Sequence, residues 1–577
     1  MTRLYNDPAA FADEALEGFA AAHRRWVRPV PGGVVRATAK VPGQVAVVIG
    51  GGSGHYPAFS GMVGQGLAHG AAVGNVFASP SALQIRTVAK AAQSGGGVML
   101  LYGNYAGDVL HFGQAAERLA ADGIPARTLA VADDLSSAAP EEAHKRRGIA
   151  GDLPVFKVTA AAAEQGLPLD EVARVAEHAN ARTRSFGIAF SGCTLPGADH
   201  PLFTVPEGRM AVGLGIHGEP GIGEQAVPTA DEAAELLVST LLKELPDGVA
   251  GSRGQRAAVI LNGLGSVKYE ELFVVYRRVA QLLDDAGVQT VDPEVGELVT
   301  SFDMAGVSLS VTWLDDTLEA LWTAPADTPA YRKGAVPQVA AADAEETSQE
   351  TDSGPEPYRA SDDSRRAAGI ALDALRLIKE TVDAHTDELG RIDAVAGDGD
   401  HGIGMQRGAG GAHEAALRAQ ESGAGARSLL TEAADAWADK AGGTSGALWG
   451  VILRSMADAL GDTDRPTPAT VARGVVRASD GVREAGGAEV GDKTMVDVLV
   501  PFADTLGRQI SEGAALPAAW DVAADAAETA ARDTARLLPR MGRARPHAEK
   551  SLGTPDAGAH SLALIVRAVH SALAHRR

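Results

Sequence analysis

The feature that most constrains this chain is a break in pattern between Thr323 and about Ser364. The stretch TAPADTPAYRKGAVPQVAAADAEETSQETDSGPEPYRASDDS is rich in Pro, Ala, Ser and acidic residues and carries no apolar period. A segment of that kind buries too little apolar surface to offset the entropy of ordering it, and it reads as a flexible linker. Each flank must then fold around a core of its own. Length agrees, because 577 residues exceed the roughly 250–300 that one core accommodates.

The two flanks differ in kind. Before the break, short β-rich runs such as Val45-Ala46-Val47-Val48-Ile49, Val98-Met99-Leu100-Leu101 and Ala258-Val259-Ile260-Leu261 alternate with Ala-rich amphipathic stretches. That alternation predicts an α/β domain, and the glycines that end the runs put loops where open α/β sheets bind ligands. After the break, Ile370, Leu372, Leu375, Ile378 and Val382 recur at helical spacing, and similar segments follow around 427–439, 447–460, 494–511 and 516–537. The expected organisation is an α/β domain over 1–325, a linker over 326–363 and an all-helical domain over 364–577, with glycine clusters between its helices.

Charge and cysteine content exclude several functions. The chain has 52 Lys+Arg against 74 Asp+Glu, a formal charge of −22. Phosphate backbones require the opposite balance, so no nucleic acid is expected, and an anionic ligand must be held by amides, helix ends or a metal ion. Cys193 is the single cysteine, which rules out an intrachain disulfide and a Cys-based zinc site; it reads as a small buried residue. The N-terminal MTRLYNDPAAFADEAL has no apolar run, and no stretch approaches the roughly 20 uninterrupted apolar residues that span a bilayer. A cytoplasmic protein without membrane contact is expected.

Three glycine-flanked segments of the C-terminal flank could carry chemistry. Asp393-Ala-Val-Ala-Gly-Asp398-Gly-Asp400-His401-Gly402 places three carboxylates in one short loop, the oxygen donors that hard dications take. An EF-hand is excluded, since its fifth and twelfth positions would be Gly402 and Ala409. Two readings remain open for this segment alone, a metal loop and a solvated turn, because Asp and Gly also form turns. Gly442-Gly443-Thr444-Ser445-Gly446 and Gly486-Gly487-Ala-Glu-Val-Gly491-Asp492-Lys493-Thr494 each precede a predicted helix, where free amides and the helix dipole favour phosphate. The second nearly matches a Walker A loop, but Asp492 splits its Gly-Lys pair and no strand precedes it. Either cluster by itself also reads as an ordinary helix connection.

In the N-terminal flank, Val45–Ile49 runs into Gly50-Gly51-Gly52-Ser53-Gly54-His55-Tyr56-Pro57, a dinucleotide fingerprint spoiled by Pro57 at its third glycine. Tyr102-Gly103-Asn104-Tyr105-Ala106-Gly107-Asp108 and Leu214-Gly215-Ile216-His217-Gly218-Glu219-Pro220-Gly221 end two further runs. Taken singly, residues such as His55, Asp108 and His217 more often serve turn or supporting roles than chemistry.

Together the segments GGGSGH, NYAGD, GIHGEPG, DAVAGDGDHG, GGTSG, GDKTMVD, Gly542-Arg543-Ala544 and Asp556-Ala-Gly558-Ala559, in this order, resemble the dihydroxyacetone kinase family over nearly the whole chain except the linker. The resemblance implies a ketose-binding α/β domain of two subdomains and a nucleotide-binding barrel of antiparallel helices. It implies a transferase of carbohydrate metabolism that moves the γ-phosphate of ATP onto a terminal hydroxyl of a small ketose, dihydroxyacetone or erythrulose. His217 would bond the ketone as a hemiaminal, His55 would act as general base with Asp108 polarising or orienting, and Gly52, Ser53 and Gly54 would contact substrate hydroxyls. Asp393, Asp398 and Asp400 would hold two Mg²⁺ ions. His401, Gly402, Ile403, Gly404, Thr444, Ser445, Gly487, Met495, Arg543, Asp556, Ala557 and Gly558 would surround ATP.

Relatives that draw phosphate from a phosphocarrier keep the two domains on separate chains, so their fusion here implies direct use of ATP. The linker is long enough to reach across a dimer, and the resemblance implies a homodimer with exchanged nucleotide domains. Departures from the family pattern bear on the sugar: Tyr56 stands where relatives have Glu, Gly103 where they have Lys, and Asn75 where they have Asp. Loss of that Lys removes a donor and opens volume for a fourth carbon, which points to erythrulose. Two other readings keep part of the pattern: a ketose or nucleotide sensor without turnover, and another phosphoryl transferase of the superfamily such as a fatty-acid kinase. FMN cyclase activity is a further property of some members.

Overall fold

The computed structural model describes residues 4–337, 339–340, 358–397, 399–541 and 550–574. The chain divides into two compact units, Met1–Thr351 and Asp352–Arg577.

The first unit contains two main sheets. In the first, strands run in the order β1 (Val27–Val30), β2 (Gly33–Arg36), β4 (Gly70–Val76), β3 (Ala46–Ser53), β5 (Val98–Gly103) and β6 (Ala126–Val131). The β4–β3–β5–β6 part is parallel. Helices α1 (Phe11–Ala22), α2 (Ala82–Ala92), α3 (Ala106–Ala121), α4 (Asp152–Glu164) and α5 (Leu169–Ala181) belong with it. A parallel strand is covered on both faces, which is why β3 reads as a continuous apolar run. Ala46 and Val48 pack with Ile85 and Val88 of α2, while Val47 and Ile49 pack with Val155 and Phe156 of α4.

The second sheet is ordered β11 (Gln289–Thr290), β10 (Arg256–Gly263), β13 (Gly306–Leu314), β7 (Thr183–Ala189), β8 (Arg209–Val212) and β9 (Gly223–Ala226), with β12 (Glu294–Gly296) also on β10. From β10 through β9 it is antiparallel. On β13, Val307, Leu309, Val311 and Trp313 face a core shared with α6 (Ala230–Lys243) and α7 (Tyr269–Asp285). Ser310 and Thr312 face the other way and bond Ser185 and Thr183. The period-2 pattern thus separates an apolar face from a hydroxyl face.

The expected linker begins later than 326. Past α8 (Asp316–Trp322), β14 (Ala326–Asp327) and β15 (Arg332–Lys333) form a two-stranded ribbon held to the first unit. Ala326 and Tyr331 are buried, Thr328 Oγ1 donates to Gly61 O at 2.8 Å, and Tyr331 Oη donates to Glu294 at 3.0 Å. Pro- and Ala-rich composition concealed these isolated anchors. Residues 341–357, the centre of the expected linker, lie outside the described residues.

The second unit is helical: α9 (Asp362–Asp393), α10 (His401–Glu421), α11 (Ala426–Ala441), α12 (Gly443–Leu460), α13 (Pro468–Gly486), α14 (Val496–Ser511), α15 (Leu516–Asp533) and α16 (Ala557–Ala574). Ser361 caps α9, so this helix starts slightly before 364. Each helix packs on its sequence neighbours and α16 returns to α9, closing a ring. Short connections make neighbours antiparallel. Alanines such as Ala409, Ala412, Ala433 and Ala434 let the helices approach, and Trp437 stacks on Trp449 at 4.8 Å inside the ring. By length and composition α16 is apolar enough to cross a membrane, but half of it is buried within this core, as in a core helix.

Candidate active site

In the first unit, β3 ends on Ser53 and the chain enters a loop that pairs with residues 300–302: Thr300 N donates to His55 O at 3.2 Å, and Phe302 N to Gly54 O at 3.0 Å. Gly54 has φ +107°, and a Cβ there would lie 2.7 Å from the rings of both Phe77 and Phe302, so only glycine fits. This loop fixes His55. Its ring stacks on Phe77 at 4.9 Å, and its Nδ1 lies 2.7 Å from Thr300 O. A carbonyl can only accept, so His55 Nδ1 carries a proton.

His217 arrives from the loop between β8 and β9. Glu219 clamps it twice: Oε2 accepts from the His217 backbone N at 3.0 Å, and Oε1 lies 3.0 Å from Nδ1. Burial by itself would raise the acid of Glu219, but His217 and Arg147 hold it well below the ordinary carboxylate range. An ionised carboxylate requires a donor, so His217 Nδ1 is protonated as well. Three rings stand edge-on to this imidazole at 4.9 Å: His55, Phe77 and Tyr105.

The Nε2 atoms of the two histidines are 3.0 Å apart. With both Nδ1 protons committed, two neutral rings would present lone pair to lone pair. The contact is a hydrogen bond only if one proton lies between the rings, giving the pair a single positive charge that the Glu219 carboxylate balances. A second proton is resisted: burial, followed by the charge of His217, pushes His55 down to about 3.

Asp108 lies in the first turn of α3 and is buried. Burial pushes it up to about 7, against a hydrogen bond from Ser79. Its described bonds do not reach either imidazole, and its Oδ1 has no partner. Ser53 donates its hydroxyl proton to Gly74 O at 2.7 Å, leaving its lone pairs to accept. A Cβ on Gly52 would lie 2.7 Å from Ala78 N, so the backbone there is closely approached. The space over Gly103 is not open volume: a Cβ there would meet the Tyr105 ring at 3.3 Å.

In the second unit, the expected residues gather at one end of the ring, where α10, α12, α14 and α16 start. His401, Gly402, Ile403 and Gly404 form the first turn of α10, and Thr444 and Ser445 lie in the first turn of α12, so these residues are helical instead of looped. Met495 caps α14, and Ala557 and Gly558 open α16. Gly487 ends α13 with φ +63°. His401 Nε2 lies 3.0 Å from Ser561 Oγ, joining the starts of α10 and α16. Four helix starts direct free amides and positive dipole ends to one place, an arrangement suited to phosphate.

Asp393, the last residue of α9, accepts from Gly399 N at 2.8 Å and shares a cavity of about 40 Å³ with Lys493, Asp556 and Ala557. Burial raises Asp400, and Asp393 raises it further. Asp556 is pushed up to about 7 by burial, with Asp497 and Asp393 adding to the effect. Asp398 and Arg543 lie outside the described residues. Among the described residues, no three acidic, His or Cys side chains are assembled as a metal cluster. Asp393 and Asp556, both half-buried, and the exposed Asp400 offer only oxygen donors, the kind a hard dication takes.

Sequence reasoning missed Glu219, Arg147, Phe77, Thr300 and Tyr105. Glu219 was legible, two residues after His217 in the same motif. Phe77 and Thr300 carry no local signal, because only folding brings them to His55.

Residues 17–330 match the Dak1 domain and residues 395–571 the DAK2 domain. The chain is 60% identical over 573 residues to an L-erythrulose kinase of Pectobacterium atrosepticum, spanning 99% of this chain and 97% of that protein. It is 56% identical over 572 residues to a D-erythrulose kinase of Mycolicibacterium smegmatis, spanning 99% and 98%. Among solved structures, the dihydroxyacetone kinase from C. freundii in complex with AMP-PNP and Mg²⁺ matches with a TM-score of 0.52 and 28% identity over 99% of both chains.

Proposed function

The chain belongs to the dihydroxyacetone kinase family, and on that premise we propose that it transfers the γ-phosphate of ATP to a hydroxyl of a small ketose held covalently on His217. The observation that carries this reading is the His55–His217 contact with Glu219 behind it. A nitrogen nucleophile, a proton donor beside it and a fixed countercharge are what addition to a ketone needs.

Addition proceeds with the shared proton on His55. His217 Nε2 bonds to the carbonyl carbon, the π pair of the C=O moves to oxygen, and His55 Nε2 delivers its proton to that oxygen. The positive charge passes from His55 to His217, beside the Glu219 carboxylate. The low proton affinity of His55 makes it an effective donor here. For the later deprotonation of the attacking hydroxyl, Asp108 near 7 is better matched to neutral pH than His55 near 3, so we assign that step to Asp108.

Asp393 and Asp400, with Asp398, would hold Mg²⁺, and the helix starts of the second unit would hold ATP, whose phosphoryl charge the metal neutralises when bound. Lys493, whose Nζ donates to Ser551 O at 2.7 Å, braces the loop that carries Met495. The sensor reading leaves these carboxylates without a use. The proposal extends to erythrulose as a substrate beside dihydroxyacetone, to two metal ions, and to a cytoplasmic homodimer with exchanged nucleotide domains; these details rest on resemblance.

The test is ADP release by the full chain with Mg·ATP and dihydroxyacetone, D-erythrulose, L-erythrulose or glycerol, in the wild type and His217→Ala. Turnover with a ketose, absent with glycerol and lost in the variant, is expected. Equal turnover with glycerol would overturn the covalent reading, and no ketose-dependent turnover would overturn the kinase.

A further inference from the structure

Three polar atoms of the first unit are buried and bonded to nothing: Tyr105 Oη, whose ring abuts His217, Asp108 Oδ1 and Asp152 Oδ1. The mechanism above uses Asp108 alone. Leaving such a group buried and unpaired is unfavourable, so three together call for a bonding partner that arrives from outside.

Tyr105 and Asp152 lie close enough to interact electrostatically. Tyr105 caps α3 and turns its ring edge-on to His217, while Asp152 is the first residue of α4 and 3% exposed. The turn leading into α4 presses on the loop that carries Tyr105: a Cβ on Gly148 would lie 2.6 Å from Gly103 Cα and 3.0 Å from Asn104 N. The turn is rigid. Asp133 accepts from Ile149 N and Gly151 N, each at 2.8 Å, and Asn104 Nδ2 donates to Arg146 O at 2.7 Å. Absence of a side chain at Gly103 leaves the Tyr105 ring its position.

Burial also favours the neutral form of both groups. Burial, then Asp133 and Asp108, raises Asp152 well above the ordinary carboxylate range, and burial raises Tyr105, with Glu219 and Asp152 contributing. A protonated carboxyl and a phenol each both donate and accept. This chemistry suits a sugar hydroxyl and offers nothing to an ion.

We infer that Tyr105 Oη and the Asp152 carboxyl form a subsite beside His217 that binds the additional secondary hydroxyl of a four-carbon ketose. The inference rests on the kinase reading. A site built to bond a hydroxyl discriminates against a substrate that lacks it, because its buried groups are then left unpaired. Dihydroxyacetone lacks that hydroxyl, whereas erythrulose has it.

The experiment compares kcat/KM for each erythrulose enantiomer and for dihydroxyacetone in the full-length wild type, Tyr105→Phe and Asp152→Ala. For the preferred enantiomer, each variant is expected to lower the erythrulose-to-dihydroxyacetone ratio about tenfold, the equivalent of one hydrogen bond of about 1.4 kcal/mol. Using a ratio cancels losses of folded enzyme, and Tyr105→Phe, which removes one oxygen, retains the test if Asp152→Ala does not fold. An unchanged ratio in Tyr105→Phe, or a wild type that turns over dihydroxyacetone but neither erythrulose, overturns the subsite while leaving the kinase intact. A wild type inactive with every ketose overturns the kinase reading beneath it.

Discussion

His55 Nε2 and His217 Nε2 meet at 3.0 Å while both rings direct Nδ1 at an acceptor, Thr300 O for one and Glu219 Oε1 for the other. The outer contacts dictate the tautomers, and the tautomers dictate that the inner contact holds a proton. Two residues 162 apart thereby form one hydrogen-bonded pair, to which the proposed mechanism gives the acid and nucleophile roles.

Glu219→Gln tests the outer clamp. The amide keeps the size of the side chain but loses its charge, so the protonated pair loses its balance and His217 loses its tautomer lock. We expect kcat/KM for the ketose to fall on the order of 100-fold, with KM for ATP unchanged, since a buried charge-assisted hydrogen bond contributes about 1.5–3 kcal/mol. Steady-state kinetics in both substrates checks it.

Asp108 makes stability depend on pH. Its proton is held up to about pH 7 in the folded protein against an ordinary value of 3.8, so the folded state binds the proton more tightly than the unfolded chain. Its contribution is full below about pH 4 and is lost as pH rises through 7. Asp108→Asn stays neutral throughout. Relative to the wild type the variant should therefore gain stability between pH 4 and 8, on the order of 4 kcal/mol for a shift of about three pH units. Paired denaturant titrations at both pH values measure this, and a difference independent of pH would refute it.

Gly54→Ala places a methyl group 2.7 Å from the rings of Phe77 and Phe302 at φ +107°. Strain and overpacking together should cost about 2–4 kcal/mol. Phe77 stacks on His55, so activity should fall as well, by more than the loss of folded protein accounts for. Thermal melts and active-site titration separate the two effects.

Chelation of Mg²⁺ should stop ketose-dependent ADP release, and added Mg²⁺ should restore it. Asp393→Asn should need a higher Mg²⁺ concentration for half-maximal rate, by about tenfold or more, because removing one of few charged oxygen ligands weakens a site for a hard dication. A Mg²⁺ titration of both proteins decides, and identical midpoints would remove Asp393 from the metal site.

Much of this protein was legible along the chain. Continuous apolar runs such as Val45–Ile49 mark strands buried on both faces, helical spacing from Ile370 to Val382 marks α9, and glycine-flanked motifs mark the loops that carry His55 and His217 and the helix ends that carry Asp108 and Asp393. These are local properties, set by backbone periodicity and turn chemistry. Tertiary structure alone decided that Thr300, 245 residues from His55, fixes its tautomer, that Tyr105 fills the space over Gly103, and that a ribbon within 326–333 belongs to the first core. Protonation state and pocket shape depend on which distant groups share a low-dielectric space, and no spacing along the chain encodes that.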